Sequence, residues 1–267
     1  MTSDNGPAKL DLHFHTMISR QLPFSEDHLL QMLDGAVSNG IGTIAITDHI
    51  ESADYGTVRS YMRRTFPFTQ GGYDVRGLRV FPGTEVQTSE GIHVLFLGLE
   101  EELDELHRRM EPMIQTGYYP SLRELFARSS SLELLTVWAH PFRETGTDGV
   151  RFLRDLADEE DLPHFDALDL NAKDIYLHGE QMVSHVQTAA VGQGLPVVGG
   201  SDAHHPSQVG SVYNSCERPV VTFEELRAAI EAGALTPHVS RELQSKVAEA
   251  QEFKKRVLEE ALPGRTH

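Results

Sequence analysis

Six times along this chain a short apolar run stops at a histidine or a carboxylate, and helical stretches separate most of these runs. The positions are His13 and His15, Asp48 and His49, Glu85, His140, Asp169 to Asn171, and Asp202 with His204. His93 lies within one further apolar run, 92–99. Strands alternating with helices are the signature of a parallel α/β architecture. In a parallel barrel every strand end opens on one rim, so residues far apart in sequence meet there. Any one of these side chains alone reads equally well as a helix cap or a core histidine. A whole series in phase with the strands does not.

The opening pair sharpens the point. Residues i and i+2 of a strand point to the same face, so His13 and His15 hold two imidazoles side by side while Leu12 and Phe14 turn into a core. Two parallel imidazoles at a strand end make half of a transition-metal site.

Between these ends the chain reads in order as follows. Ser25 caps a helix over 25–39 with Glu26 and Asp27 in its first turn, and Leu29, Leu30, Leu33, Ala36 and Val37 form its apolar stripe. A strand over 41–47 is followed by an irregular insertion over 51–72 that contains one helix near 58–64. Strands are expected over 78–81, 92–99, 132–138, 165–170 and 196–198. Helices are expected over 100–110, where the charge suggests a solvated face, and over 122–129, 149–158, 180–192 and 223–232. A final amphipathic helix over 241–262 extends the domain, as a dimer contact or a lid over the barrel bottom. No repeat, low-complexity linker or domain boundary interrupts residues 1–267, so a single domain is expected.

Composition narrows the chemistry. A net charge of −17 argues against a general nucleic-acid surface and would repel an anionic substrate unless bound cations reverse the sign locally. Fourteen histidines are many for this length, and much of the excess stands beside acids at strand ends. The lone Cys216 excludes an internal disulfide. Apolar runs fall far short of the ~20 residues of a membrane span, and the first residues lack the features of a signal peptide. A soluble, cytoplasmic protein is expected.

Taken together, the segments Asp11-Leu12-His13-Phe14-His15-Thr16, Ile46-Thr47-Asp48-His49, Gly83-Thr84-Glu85, His93, Ala139-His140-Pro141 and Gly200-Ser201-Asp202-Ala203-His204 resemble the PHP (polymerase and histidinol phosphatase) superfamily, in the right order over about 10–205. Residues 223–233 also resemble the helix that follows in its stand-alone phosphoesterases. The resemblance implies a distorted (β/α)7 TIM-like barrel with two or three divalent ions at its C-terminal rim. By position, it assigns His13, His15, Glu85 and Asp202 to a first metal. Glu85 would bridge to a second, completed by His93 and His140, and a third would take His49, His204 and a residue of the loop after His15. Mixed nitrogen and oxygen ligands suit zinc, manganese or iron alike.

The third site departs from the family pattern, because Arg20 stands where relatives carry Asp or His. A guanidinium cannot be a ligand. Either that metal is absent or weak, or Glu51, Glu26 or Asp27 replaces the ligand, or Arg20 binds substrate phosphate through its planar fork. Arg143 and Lys173 are further candidate phosphate contacts, each equally readable as a surface cation, and Asp48 and Asp11 are expected to orient ligands.

The expected activity is hydrolysis of a small phosphorylated metabolite or nucleotide by a metal-bridged hydroxide, with Asp202 at the metals and His204 or His49 available to protonate the leaving group. Alternatives are a histidinol-phosphate phosphatase, a proofreading-type exonuclease and an inactive metal-binding module. No long nucleic acid and no membrane are expected as partners; the oligomeric state is open.

Overall fold

The structure, a computed structural model, describes residues 7–143 and 164–262. The expected helix over 149–158 lies outside the described residues.

Seven strands form a nearly closed barrel: β1 (Ala8–Phe14), β2 (Thr43–Ile46), β5 (Leu78–Gln87), β6 (His93–Leu97), β7 (Leu135–Ala139), β8 (Ala167–Asn171) and β9 (Val197–Gly200), each paired with the next in that order. The circuit returns from β9 to β1 through short links. His13 O accepts Asp202 N–H at 2.8 Å, Ala203 O accepts His15 N–H at 3.1 Å, and Phe14 and Ala203 form an isolated parallel bridge. Asn214, buried between them, bonds both the amide and the carbonyl of Gly199 through its side chain and also reaches Leu10 O. A Cβ on Gly200 would sit 2.2 Å from His13 Cβ, so only glycine lets β9 approach β1 this closely.

The barrel is not wholly parallel. β6 runs antiparallel to both β5 and β7. A parallel crossover needs a dozen or more residues, and Gln87 and His93 are separated only by the turn 88–92. This reversal corrects the all-parallel expectation. It also explains how His93, at the start of its strand, reaches the same rim as residues at the ends of the others.

Beyond the barrel, β10 (Val212–Cys216) pairs antiparallel with β1, and β11 (Thr236–Val239) with β10. The insertion after β2 holds α2 (Tyr55–Thr65) and the hairpin of β3 (Phe68–Thr69) and β4 (Gly72–Val75), which adds to β5. These edge strands are short and mixed in polarity, and the sequence pattern does not reveal them.

The helices cover the outside. In α1 (Glu26–Ser38) the buried side chains are His28, Leu29, Met32, Leu33 and Ala36, so the stripe is rotated from the expected one and Val37 is exposed. Ser25 caps it as expected, accepting His28 N–H. α3 (Glu100–Thr116) runs past the expected end at 110 and is no wholly solvated face, since Leu103, Leu106, Met110 and Met113 are buried. Its Glu100 is buried as well, bonded to Arg59, Arg63 and Tyr73. Two guanidinium groups thus meet the one buried carboxylate, as a buried charge requires. α4 (Leu122–Ser129) carries a capping box from Ser121 and Glu124, and α5 (Ala172–His178), α6 (Gln181–Gln193) and α7 (Phe223–Glu231) follow.

The final helix α8 (Leu243–Ala261) corrects its expected place. Leu243, Val247, Ala250 and Leu258 are buried, and Phe253 packs on the His205 ring at 4.2 Å between centroids. His205 follows the end of β9, so α8 lies at the C-terminal rim and not across the barrel bottom. No described helix is long and apolar enough to cross a membrane.

Candidate metal centre

At that rim the strand ends deliver their polar side chains to one cavity of about 460 Å³, lined among others by Arg20, His49, Glu85, His93, His140, Arg143, Lys173, Asp202, His204, Lys254 and Leu258. A second cavity, of about 510 Å³, lies by Thr136 and Asp166 at the opposite ends of β7 and β8 and holds none of the clustered histidines.

Glu85 is the hub. Its Oε2 lies 3.5 Å from His13 Nε2, 3.3 Å from His15 Nε2 and 3.4 Å from His49 Nδ1. Its Oε1 lies 2.5 Å from His93 Nδ1 and 3.1 Å from His140 Nε2. One carboxylate thus turns its two oxygens toward two separate groups of imidazoles. Asp202 Oδ1 closes the first group, 3.1 Å from His15 Nε2 and 3.6 Å from His13 Nε2. Three sets have ligand atoms close enough for a shared ion: His13, His15 and Asp202; His15, His49 and Glu85; and Glu85, His93 and His140.

The surroundings prepare these nitrogens as lone-pair donors. His13 Nδ1 donates to Asp169 Oδ2 at 2.9 Å, which leaves Nε2 aimed into the cluster. His204 Nδ1 donates to Met17 O at 2.8 Å, and its Nε2 lies 3.6 Å from Asp202 Oδ1. A ligating histidine is oriented in this way, by the partner of its other nitrogen. Nε2 of His13 and of His15 and Nδ1 of His49 are buried with no hydrogen-bond partner among the described residues. Buried polar atoms are rarely left unpaired, and lone pairs converging on two carboxylates fit a divalent ion. The donor set therefore fits the expected metals.

Among the side chains themselves the charges balance, and a divalent ion would take the place of the protons that the neighbouring acids hold on His13 and His15. Burial works against ionising Glu85, but the adjacent His49, His93 and His13 outweigh it and hold the carboxyl well below its usual range. Burial is likewise outweighed at Asp202, chiefly by Arg143. Burial also opposes a proton on His13, yet Asp202 and Asp169 raise it to about 10; His15 is raised by Asp202, Asp48 and Glu85. In contrast, burial lowers His49 to about 3 and takes His140 and His204 well below their ordinary value.

His140 and Asp202 both have left-handed backbones, with φ of 34° and 51°. Neither is glycine, and such conformations persist only where the surroundings enforce them. Here Asp169 Oδ2 accepts the His140 N–H at 3.2 Å, and the Asp202 carbonyl accepts from buried Gln208 at 2.9 Å. Asp48 organises the loop after β1, accepting Thr16 N–H at 2.9 Å, the Thr16 hydroxyl at 2.5 Å and Met17 N–H at 3.4 Å. Asp11 accepts Ser201 N–H at 3.0 Å, and burial pushes its carboxyl up to about 7.

The third group is not assembled in the expected form. No described set of three ligands joins His49 to His204; His204 instead stacks on His15 at 4.2 Å. Arg20 donates to Glu51 Oε1 at 2.6 Å and to Gln87 Oε1 at 2.8 Å. Glu51 Oε1 is itself 3.6 Å from His49 Nδ1, so a guanidinium neutralises the carboxylate that would complete a site there. Glu26 and Asp27 are exposed on α1, with Glu26 accepting from Tyr61.

Arg143 lies in the cavity but its guanidinium is engaged: it donates to Asp174 at 3.0 Å, Asn171 at 2.7 Å and Asp202 at 2.7 Å. Sequence reasoning gave no role to three participants. Asp169, at the end of β8, holds His13. Asp174 holds Arg143. Lys254, from α8, lines the cavity from a helix with no motif to announce it.

Comparison with known proteins adds the following. A family described as PHP-associated matches residues 186–235. No curated protein matches the chain. Among solved structures, PsfC from Pseudomonas syringae PB-5123 is similar with a TM-score of 0.71 and 20% identity, covering 94% of this chain and 99% of that one. The lesion-specific endonuclease PfuEndoQ from Pyrococcus furiosus is similar with a TM-score of 0.63 and 20% identity over 85% of this chain and 56% of its own. An amidohydrolase from Chromobacterium violaceum, with bound sulfate and no metal, gives 0.51 and 18% over 86% and 98%. At these identities the likeness is one of fold.

Proposed function

We propose that this chain, which belongs to the PHP superfamily, is a metal-dependent phosphoesterase acting on a small phosphorylated metabolite or nucleotide. The observation that carries the reading is Glu85, whose two oxygens face two separate sets of imidazoles. Two divalent ions held by those sets would supply positive charge to a phosphoryl group and lower the pKa of a bound water. His13, His15 and Asp202 would hold one ion, His93 and His140 the other, with Glu85 shared and His49 beside it. Asp169 and Met17 O fix the tautomers of His13 and His204.

His204, whose Nε2 lies 3.6 Å from Asp202 Oδ1, suits a place beside the ion held by Asp202 better than the part of a leaving-group acid. Burial takes its pKa well below the ordinary value, and its one N–H is already given to Met17 O, so it has no proton to deliver toward the cavity. Replacing His204 by Asn is expected to lower bound metal together with turnover. Metal retained with turnover lost would restore the acid role.

The same fold serves a lesion-specific endonuclease, which favours nucleic acid as a second reading. The net charge of −17 opposes it, since binding a long phosphate backbone needs a basic face.

One experiment addresses both. Metal content is measured for the chain and for Glu85→Gln, together with phosphate release from histidinol phosphate, nucleoside monophosphates and bisphosphates, and nucleotide release from a single-stranded oligonucleotide. The variant is expected to lose metal and to lose turnover by more than about a hundredfold, the ceiling for residues that only support ligands. Faster trimming of the oligonucleotide than of any small ester would replace the metabolite reading. Stoichiometric metal with no hydrolysis of any ester would leave a binding module, and activity confined to histidinol phosphate would narrow the substrate.

A further inference from the structure

The cation nearest the cluster, Arg143, is committed to Asp202, Asp174 and Asn171, and Arg20 is committed to Glu51 and Gln87. Two other cations line the same cavity without such partners. Lys173 stands in the first turn of α5 and Lys254 on α8, and these two helices pack against each other. Among the described residues neither ammonium group makes an ion pair or a hydrogen bond. Both lysines are half-buried, and Leu258, one helical turn after Lys254, gives the cavity an apolar wall beside them.

We propose that Lys173 and Lys254 form an anion subsite beside the metal cluster, so that the substrate carries a second anionic group, phosphate or carboxylate, besides its scissile phosphate. The inference rests on the phosphoesterase reading for the chemistry at the cluster. Two neighbouring ammonium groups in a partly enclosed cavity repel each other, and that cost is repaid when an anion lies between them. The effect is visible on Lys254. Burial first, then the charge of Lys173, with Arg20 and Arg143 adding to it against Asp202, pull its pKa down to about 8. The protein carries 40 acidic residues against 23 basic ones, yet none of the described acids is bonded to these two lysines. An acidic chain in which no described acid is bonded to a cationic pair lining its cavity selects for negative charge there.

The subsite also gives α8 a task. It lies beyond residues 186–235, the part matched as PHP-associated, and it closes one side of the cavity with a lysine and a leucine. The substrate's second anion would draw this helix into recognition, whereas the scissile phosphate is met by the barrel alone.

The test compares propylphosphonate with the diphosphonate that carries a phosphonate at each end of the same propyl chain. Binding of each to the metal-loaded protein is followed by calorimetry. The diphosphonate is expected to bind about tenfold more tightly, as one charge-assisted contact provides. Lys254→Gln and Lys173→Gln should each collapse the ratio between the two probes, and Lys254→Arg should keep it, with metal content reporting an intact cluster in every variant. Equal affinity for the two probes, or a ratio that survives both glutamine substitutions, would overturn the subsite. The readout is binding, so it is separate from the fate of the phosphoesterase reading. Lysine-dependent preference without hydrolysis leaves the subsite and removes the reaction, and hydrolysis without preference does the reverse.

Discussion

Asp169 shows how one buried carboxylate sets several ligands at once. Its Oδ2 accepts the His13 Nδ1–H at 2.9 Å, the backbone N–H of His140 at 3.2 Å and Asn171 Nδ2 at 3.0 Å. It thereby fixes a tautomer in one half of the cluster and a left-handed backbone in the other. Asp169→Asn keeps the volume but removes the charge that favours the His13 N–H, and metal affinity is expected to fall by about 10–100-fold. Competition with a chromophoric chelator measures it; an unchanged affinity would mean that His13 needs no such partner. At this scale much was legible beforehand. The meeting of His13, His15, Glu85, His140 and Asp202 on one rim was expected because each closes an apolar run, whereas His93 stood inside its run. Asp169 stood in the same pattern, but which nitrogen it would face depends on a residue 156 positions away. Arg20 was legible as an anomaly, and its partner Glu51 only as one of three alternatives.

At the level of elements, the hairpin joining β5 to β6 and the pairing of α2 with α3 carry the most consequence. The hairpin reverses β6 and so brings His93 to the rim from the start of a strand. Its length is plain in the sequence, since four residues after Thr88 cannot hold a crossover helix. The α2–α3 pairing was not legible, because charge on a helix face reads the same whether solvated or paired. Glu100 binds Arg59, Arg63 and Tyr73 across that joint, while Asp104 lies 2.7 Å from Arg63 and 3.1 Å from Arg59. Removing one member of a buried ion pair leaves the other unpaired. Glu100→Ala is expected to cost about 2–3 kcal/mol, held below the full penalty because Asp104 still neutralises both arginines. Urea unfolding measures the loss, and a change under about 0.5 kcal/mol would show that the network is a surface ornament in energetic terms.

For the whole molecule, the barrel concentrates negative charge and imidazole lone pairs at one end of an already acidic chain. Ions bound by the folded cluster and not by the unfolded chain stabilise by mass action, about 2.7 kcal/mol at a hundredfold excess over the dissociation constant. For a chain of this size that corresponds to a rise in Tm of roughly 5–10 °C. Stripping metal with a chelator and then restoring zinc or manganese should move Tm down and back by that amount; an indifferent Tm would mean that the cluster binds no ion tightly. The same acidity makes cations lining the cavity informative, since Lys173 and Lys254 belong to a chain of 40 acids against 23 bases and no described acid is bonded to them.

The sequence by itself determined the α/β alternation, the strand-end chemistry and the order of the ligands, because periodicity and residue type act locally and survive without knowledge of the fold. The tertiary structure alone decided three things. It brought β9 back to β1 through Gly200 and Asn214, it paired Arg20 with Glu51 and Arg143 with Asp202, and it laid α8 across the rim so that Lys254 faces the cavity. Each of these depends on which distant surfaces meet, and burial and charge neutralisation between them are properties of the closed barrel rather than of any single stretch of chain.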